Sequence, residues 1–380
     1  MEIVKLKELT GIYLGVTHTP EYVSEGIPFL SVKNISDGEI SFDDCKYISK
    51  KEYDSLSEGA KPKVGDMLFC RVGTLGKPII IPDGTPLFGS FVSLGYLRNK
   101  DTSRCDLRYL RYWMNSRSFW LQVESNVKGA SQVNLNTGWL SNFDIVLPDK
   151  EEQIKRITIL DQCNKIIKKR NHQLEMLNSL IKARFVEMFG SDKYPQVTIA
   201  DLVEKKVSTA KKDFSPDDTI KYIDISSIDN KRNQMTGYTE YILSEAPSRA
   251  QQHVIKNDIL VSTVRPNLRN VAITTFDDNN LVASSGFCVL RAVKCLPSYL
   301  MAIACSDEFT AAMSKVVTGA NYPAIKDSDV MDYVVSKPPI TLQQDFERFV
   351  AQVDKSKFAV QKALDKAQLL FDSLMQQYFG

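Results

Sequence analysis

Two stretches of the chain carry an unbroken helical pattern. Residues 151–189 contain neither Pro nor Gly, and apolar residues recur at Ile154, Ile157, Leu160, Cys163, Ile167, Leu174, Leu177, Ile181, Phe185 and Met188. The steps are threes and fours with one seven, which Arg170 fills, and this is the spacing of a coiled-coil seam. A second stretch, about 342–379, repeats it with Val353, Val360, Ala363, Ala367, Leu370 and Leu374, flanked by Phe346, Phe349, Leu364 and Phe371. One such helix exposes a bare apolar stripe, whereas two can cover each other. Ile154, Leu174, Leu177, Ile181, Val353, Val360, Leu364 and Leu370 are the expected spacer and docking positions. The first helix carries the chain from one globular segment to the next and the second must run back, so an antiparallel pair is expected. A helix of nearly 40 residues spans about 55 Å at 1.5 Å per residue.

The helices belong to an internal repeat. Gly129-Ala130 returns 190 positions later as Gly319-Ala320, Pro148 as Pro338, Leu174-Glu175 as Leu364-Asp365, and Phe189-Gly190 as Phe379-Gly380. The opening Val4-Lys5-Leu6-Lys7-Glu8-Leu9 resembles Val197-Thr198-Ile199-Ala200-Asp201-Leu202, and Lys63-Val64-Gly65-Asp66-Met67-Leu68-Phe69 is echoed by Ile255-Lys256-Asn257-Asp258-Ile259-Leu260-Val261. Each copy has a strand-and-turn segment, a Pro-marked strand exit and a long helix ending at Phe-Gly, where Gly is a common terminator. The expected class is α+β with pseudo-two-fold organisation: a globular domain over 1–150, a spacer helix over 151–190, a second domain over 191–340 and a distal spacer helix over 341–380. Similarity is good in the helices and poor in the globular halves, which suggests a shared frame carrying two different readers.

Both globular halves place basic residues on a loop between two apolar strands. In the first, Val64–Cys70 reads as a turn and buried strand, Arg71-Val72-Gly73-Thr74-Leu75-Gly76-Lys77 as a basic glycine loop, and Pro78–Ile81 as another strand. In the second, Ile259–Ser262 and Val271–Ile273 flank Arg265-Pro266-Asn267-Leu268-Arg269-Asn270 at what reads as the matching position. Such loops, held by a sheet, suit phosphate and guanine contacts; any one of them is equally well a solvated hairpin tip. A second loop pair is Lys128-Gly129-Ala130-Ser131-Gln132-Val133-Asn134 and Thr318-Gly319-Ala320-Asn321-Tyr322-Pro323, whose small residues let backbone approach a ligand and whose amides suit adenine. The candidate DNA contacts are therefore Arg71, Thr74, Lys77, Lys128, Ser131, Asn134, Arg265, Asn267, Arg269, Asn321 and Tyr322. A helix bearing Trp113 and Trp120 is expected over 106–124, covering the first sheet.

Composition narrows the chemistry. The 380 residues are 43% hydrophobic and 25% charged, with a formal net charge of only +2, so a DNA binder of this kind must concentrate its cations locally or share phosphate contacts with a partner. The N-terminus lacks a signal pattern and no apolar run is long enough for a membrane helix. Seven scattered cysteines with no CxxC pair, and three dispersed histidines, read as core thiols in a reducing cytoplasm, with no metal site. Gly73-Thr74-Leu75-Gly76-Lys77 is not a phosphate loop, because Arg71 stands where the first glycine belongs and Pro78 where Ser or Thr would hold magnesium. Asp217, Asp229 and Lys231 formally fit a nuclease-type PD…DxK spacing, a short pattern that arises easily by chance. Lys337-Pro338-Pro339-Ile340 is not the Asp/Asn-Pro-Pro-aromatic motif of amino-methyltransferases. No catalytic residue is assigned.

In order and in duplicate, these pieces resemble the specificity subunits of type I restriction-modification systems. The resemblance rests on Thr19-Pro20 with Gly26-Ile27-Pro28-Phe29, Gly65-Asp66-Met67-Leu68, the Gly73–Lys77 loop, Ile145-Val146-Leu147-Pro148 leading to Glu152-Gln153-Ile154, and Phe189-Gly190. The second copy has Asn257-Asp258 for Gly-Asp, Arg265-Pro266-Asn267 for the glycine loop and Gln343-Gln344 for Glu-Gln. The resemblance implies two target recognition domains, each reading one half of a split site on double-stranded DNA, with the helices setting the gap. It implies a non-catalytic chain without a cofactor of its own. Two methyltransferase subunits would use S-adenosylmethionine for adenine-N6 methylation in host defence, and restriction subunits would use ATP and magnesium to translocate and cut. Since the two halves differ, the expected site is asymmetric. The competing readings are a magnesium nuclease and a helical interaction scaffold without DNA contact.

Overall fold

The computed structural model describes residues 1–36, 38–127, 134–190, 193–319 and 323–380. The chain forms two compact units: Met1–Asn171 with Lys362–Gly380, and His172–Gln361. Each unit combines one globular half with part of both long helices, which run unbroken over Lys150–Phe189 and Ile340–Phe379.

In the first unit, strand Glu2–Lys5 pairs antiparallel with Asp144–Leu147, the strand that feeds the first long helix. A four-stranded sheet is ordered Thr10–Leu14, Leu94–Asn99, Met67–Cys70, Gly76–Ile80, and a second one Gly89–Ser90, Ile27–Leu30, Lys46–Ile48, Tyr22–Val23. Strand Met67–Cys70 is buried on both faces, which is why it reads as an uninterrupted apolar run. Met67 and Phe69 enter a core with the helical layer, while Leu68 and Cys70 enter another with Leu30, Ile79 and Phe88. Gly95 lies against this strand; a Cβ there would come within 2.5 Å of the Phe69 ring. The helix expected over 106–124 is two helices, Leu107–Met114 and Arg117–Asn126. Ser116 breaks it by capping the second one, its hydroxyl accepting from the Phe119 N–H.

The second unit repeats the plan. Gln196–Thr198 pairs with Val334–Ser336, and strand Ile259–Ser262 lies between Val271–Ile273 and Phe287–Leu290. Ile259 and Val261 face the helical core, and Leu260 faces the opposite one.

The repeated motifs prove to be tertiary joints. In Lys63–Asp66 the Asp66 carboxylate accepts the Lys63 N–H at 2.8 Å and receives Arg98 through two hydrogen bonds of 2.9 and 2.7 Å. In Ile255–Asp258, Asp258 accepts the Ile255 N–H at 2.9 Å and receives Arg291 at 2.9 and 2.8 Å. Both turns need a left-handed residue, which is Gly65 at φ 85° and Asn257 at φ 72°, so the Gly-to-Asn change preserves the geometry. Gln153 and Gln343, both fully buried at the start of the long helices, carry a second joint. The Gln153 amide donates to the carbonyls of Pro148 and Arg104 and accepts from the Asp106 N–H, and Gln343 donates to Pro338 and accepts from Leu296. The Tyr109 and Tyr299 hydroxyls donate to the carbonyls of Val146 and Ser336.

Each unit closes on the far end of a long helix. In the first, Phe379 packs on Tyr109 at 4.9 Å between centroids, and Arg156 donates to the Tyr378 carbonyl at 3.2 Å while stacking on its ring. In the second, Phe189 packs on Tyr299 at 4.9 Å and on Phe346 at 5.4 Å. The start of one helix thus lies beside the end of the other in each unit, and the pair is antiparallel. Leu174, Leu177, Ile181 and Val360 are half-buried, and Val353 and Leu364 are buried. Ile154 and Leu370 are not in the seam; they are 44% and 53% exposed, and the contact expected of Leu370 is made by Phe371, whose ring meets Tyr112.

Asp66→Ala and Asp258→Ala each strand a partly buried arginine. Each is expected to cost about 3 kcal/mol, read as a lowered urea midpoint. A loss within experimental error at both positions would mean the joints do not hold the sheets.

Candidate DNA-reading surface

In each unit the first predicted loop adjoins the described residues that follow the second. The first loop leaves strand Met67–Cys70 at Arg71 and re-enters the sheet at Gly76. The Leu135 N–H donates to the Arg71 carbonyl at 3.0 Å, which ties the segment holding Asn134 to this loop. In the second unit the Ile325 N–H donates to the Thr263 carbonyl and the Arg265 N–H to the Pro323 carbonyl. Val264 also bridges Ala324. Thr74, Asn134, Arg265 and Asn267 are exposed, and Lys77 and Arg269 are half-buried. Lys128, Ser131, Asn321 and Tyr322 lie outside the described residues.

The register corrects one expectation. Leu135 and Ile325 are repeat equivalents, so their bonds align Arg71 with Thr263, not with Arg265. Arg71 is also spent on structure: its Nε donates to the Leu135 carbonyl at 2.9 Å and its Nη1 to the Val92 carbonyl at 3.3 Å. It joins the two loops of the first unit. Arg269 is partly neutralised by Asp307, to which it donates, with Lys182 3.7 Å away. The hydrogen bond from Arg269 and the nearby Lys182 charge hold the Asp307 carboxyl below the usual range. Among the described residues Arg265 makes no side-chain hydrogen bond or ion pair.

The backbone here is strained. Six non-glycine residues among those described have positive φ, and three of them are candidate contacts: Lys77 at 48°, Arg265 at 49° and Arg269 at 55°. Such conformations cost about 1 kcal/mol or more and persist where the surroundings enforce them, commonly at functional surfaces. Asn233, at 52°, is a fourth beside the same loop.

Sequence reasoning missed that neighbour. Strands Ile228–Asp229 and Gln234–Met235 form a hairpin whose tip docks on the second-unit loop: Asn230 Nδ2 donates to the Leu268 carbonyl, and Asn233 Nδ2 to those of Arg269 and Val271. The Asn-Lys-Arg-Asn tip reads locally as a turn, and only its tertiary partner shows its placement. The nuclease alternative loses its geometry here. Asp229 caps the tip, accepting the N–H groups of Lys231 and Arg232, and Asp217 sits exposed on another turn. Among the described residues no three metal-ligating side chains gather. All seven cysteines are unpaired, five of them buried, and burial pushes the Cys105 thiol up to about 12. Among the described residues no helix is long and apolar enough to cross a membrane.

A duplicated α+β chain on two antiparallel long helices, each half with a doubly buried strand ending at its candidate loop, defines the architectural class. The family model of the type I restriction modification DNA specificity domain matches residues 1–176. A chain described as a specificity subunit of the type I restriction enzyme MjaX, from Methanocaldococcus jannaschii, is 24% identical over 196 residues, which is 50% of this chain and 45% of that one. The type I restriction enzyme EcoBI specificity subunit of Escherichia coli is 24% identical over 183 residues, 47% of this chain and 38% of that one. The matched stretch thus spans under half the length of these curated relatives. The crystal structure of a type I restriction-modification S subunit from M. genitalium superimposes with a TM-score of 0.57 at 14% identity, covering 100% of this chain and 96% of that one. A chain from a study of complex assembly and conformational transition of the type I system gives 0.55 at 15%, with 100% and 97% covered; both likenesses are of fold. Residues 1–176 thus match a type I restriction-modification specificity domain, and the whole chain shares the fold of such S subunits.

Arg71→Lys keeps the charge but cannot reproduce the two fixed carbonyl bonds. It is expected to lower stability by about 1–2 kcal/mol in urea unfolding. An unchanged midpoint together with weakened DNA binding would instead make Arg71 a direct contact.

Proposed function

We propose that this chain is the DNA-specificity subunit of a type I restriction-modification complex and has no catalytic role of its own. Each globular half reads one part of a split, asymmetric site on double-stranded DNA. Two methyltransferase subunits dock on the helical frame and methylate adenine at N6 with S-adenosylmethionine. Restriction subunits supply ATP- and magnesium-dependent translocation and cutting. The assembly works in the cytoplasm. The observation that carries this reading is the duplication itself: two loop pairs of different chemistry, at equivalent ends of equivalent strands, on one shared helical frame.

The readers are chemically distinct. The first offers Thr74, Lys77 and Asn134, and the second offers Arg265, Asn267 and Arg269. Amide and guanidinium groups of this kind bond base edges in the major groove, and lysine positions the backbone. Two continuous helices of 40 residues each are suited to fixing the gap between the half-sites.

Methylation sequencing of a host expressing the chain with its methyltransferase tests the function. The expected product is N6-methyladenine in a split motif with two different halves. A palindromic motif, or none, overturns the reading. Inserting one helical turn near Gln173, matched near Ala363, is expected to change the gap while both half-sites stay the same. An unaltered gap would remove the spacer role from the helices.

A further inference from the structure

We infer that the hairpin Ile228–Met235 is part of the DNA-reading surface of the second half, with Lys231 and Arg265 as phosphate contacts and Asn230 and Asn233 as the residues that position them. The inference rests on the specificity-subunit reading and adds a contact element to it.

The geometry is specific to this half. In the first unit the corresponding hairpin pairs Ser36 with Glu39, leaving two positions at its tip. In the second, Asp229 pairs with Gln234, leaving four, Asn230-Lys231-Arg232-Asn233. The added length introduces two adjacent cations where the first hairpin is acidic, with Asp37 and Glu39 in sequence. Three carbonyl bonds pin the longer tip to the arginine loop: Asn230 to Leu268 at 2.9 Å, and Asn233 to Arg269 and Val271 at 3.2 Å each. Since those acceptors lie within or next to Arg265–Arg269, the tip and the loop form one edge. Arg265, Arg269 and Asn233 are all left-handed there, and the Asn233 amide holds the Arg269 carbonyl.

The charges there are unequally balanced. Arg232 is paired with Asp229 at 3.3 Å, and Arg269 with Asp307. Lys231 and Arg265 are exposed and have no side-chain partner among the described residues. Two free cations on a pre-organised edge, next to the exposed Asn267 and Leu268, suit a polyanion with a groove beside its charges. Duplex DNA is that ligand. With a whole-chain charge of +2, local concentration of this kind is one way such binding is met.

The test measures binding of the full chain to a mixed-sequence duplex pool across a salt series. Lys231→Gln and Arg265→Gln are each expected to flatten the log–log salt slope by about 0.9, the value of one lost phosphate contact. Lys256→Gln is the control; Lys256 precedes the opposite end of strand Ile259–Ser262 and pairs with Asp277, and its replacement is expected to leave the slope unchanged. Asn230→Ala with Asn233→Gly alters no charge, and glycine keeps the left-handed backbone. This variant is expected to flatten the slope by at least one contact although it removes no charge, beyond any lowering of the thermal midpoint from the three lost bonds, and Asn230→Asp with Asn233→Gly is expected to flatten it further; a slope equal to wild type would overturn the positioning role. If the wild-type chain binds duplex and Lys231→Gln behaves like Lys256→Gln, this inference is overturned and the broader function stands. If the wild type does not bind duplex even with its methyltransferase subunits added, both fall.

Discussion

The architecture depends on one contact made twice: an aromatic side chain at the end of a long helix buried against a tyrosine of a globular half. Phe379 meets Tyr109 and Phe189 meets Tyr299, both at 4.9 Å, and each tyrosine hydroxyl holds the carbonyl of the strand that feeds a long helix. Neither globular half is finished by its own sequence repeat. The core of the first is closed by Phe371, Leu374, Met375, Tyr378 and Phe379 from the last turns of the chain. That of the second is closed by Ile181, Phe185, Met188 and Phe189 from the first helix. Burying a phenylalanine ring is worth a few kcal/mol by large-to-small substitution, about 3–5. The helices are therefore structural parts of both globular halves.

The two docking ends are equivalent in the sequence repeat but differ in charge. Beside the second half, Lys182 of the first helix faces Asp307 at 3.7 Å. Beside the first half, the equivalent positions are Asp372 and Arg117, which line one cleft of about 180 Å³ with Phe371 and Met375. The signs are exchanged. Exposed pairs like these contribute only tenths of a kcal/mol to about 1 kcal/mol. Placing like charges in contact opposes the wrong match, so each helix end carries the sign that suits its own cradle.

Against this common frame the reading surfaces diverge. The first-unit loop is stapled by Arg71 to carbonyls of neighbouring segments, and the second is stapled by amides of a hairpin that the first half has only in short form. The same strand end is thus stabilised by different side chains, and among the described residues different cations lack a side-chain partner there. Divergence at the tips with the joints preserved lets one scaffold carry two unlike readers.

The sequence by itself determined the helices, the duplication and the buried strands, because these follow from local periodicity and from repeats that needed no partner to be seen. The apolar runs Met67–Cys70 and Ile259–Ser262 mark strands covered on both faces, and the Pro- and Gly-free stretches mark the long helices. The repeated Asp and Gln were visible as letters, but their partners were not. Arg98, Arg291, Asp106 and Leu296 reach them only through folding. Tertiary structure also decided which apolar positions face the seam, turning Ile154 and Leu370 outward, since periodicity gives a stripe but not its partner. It decided that Arg71 is a staple and that Asn230 and Asn233 bind the carbonyls of Leu268, Arg269 and Val271. A side chain's role there depends on which distant carbonyl it meets, and no local pattern records that.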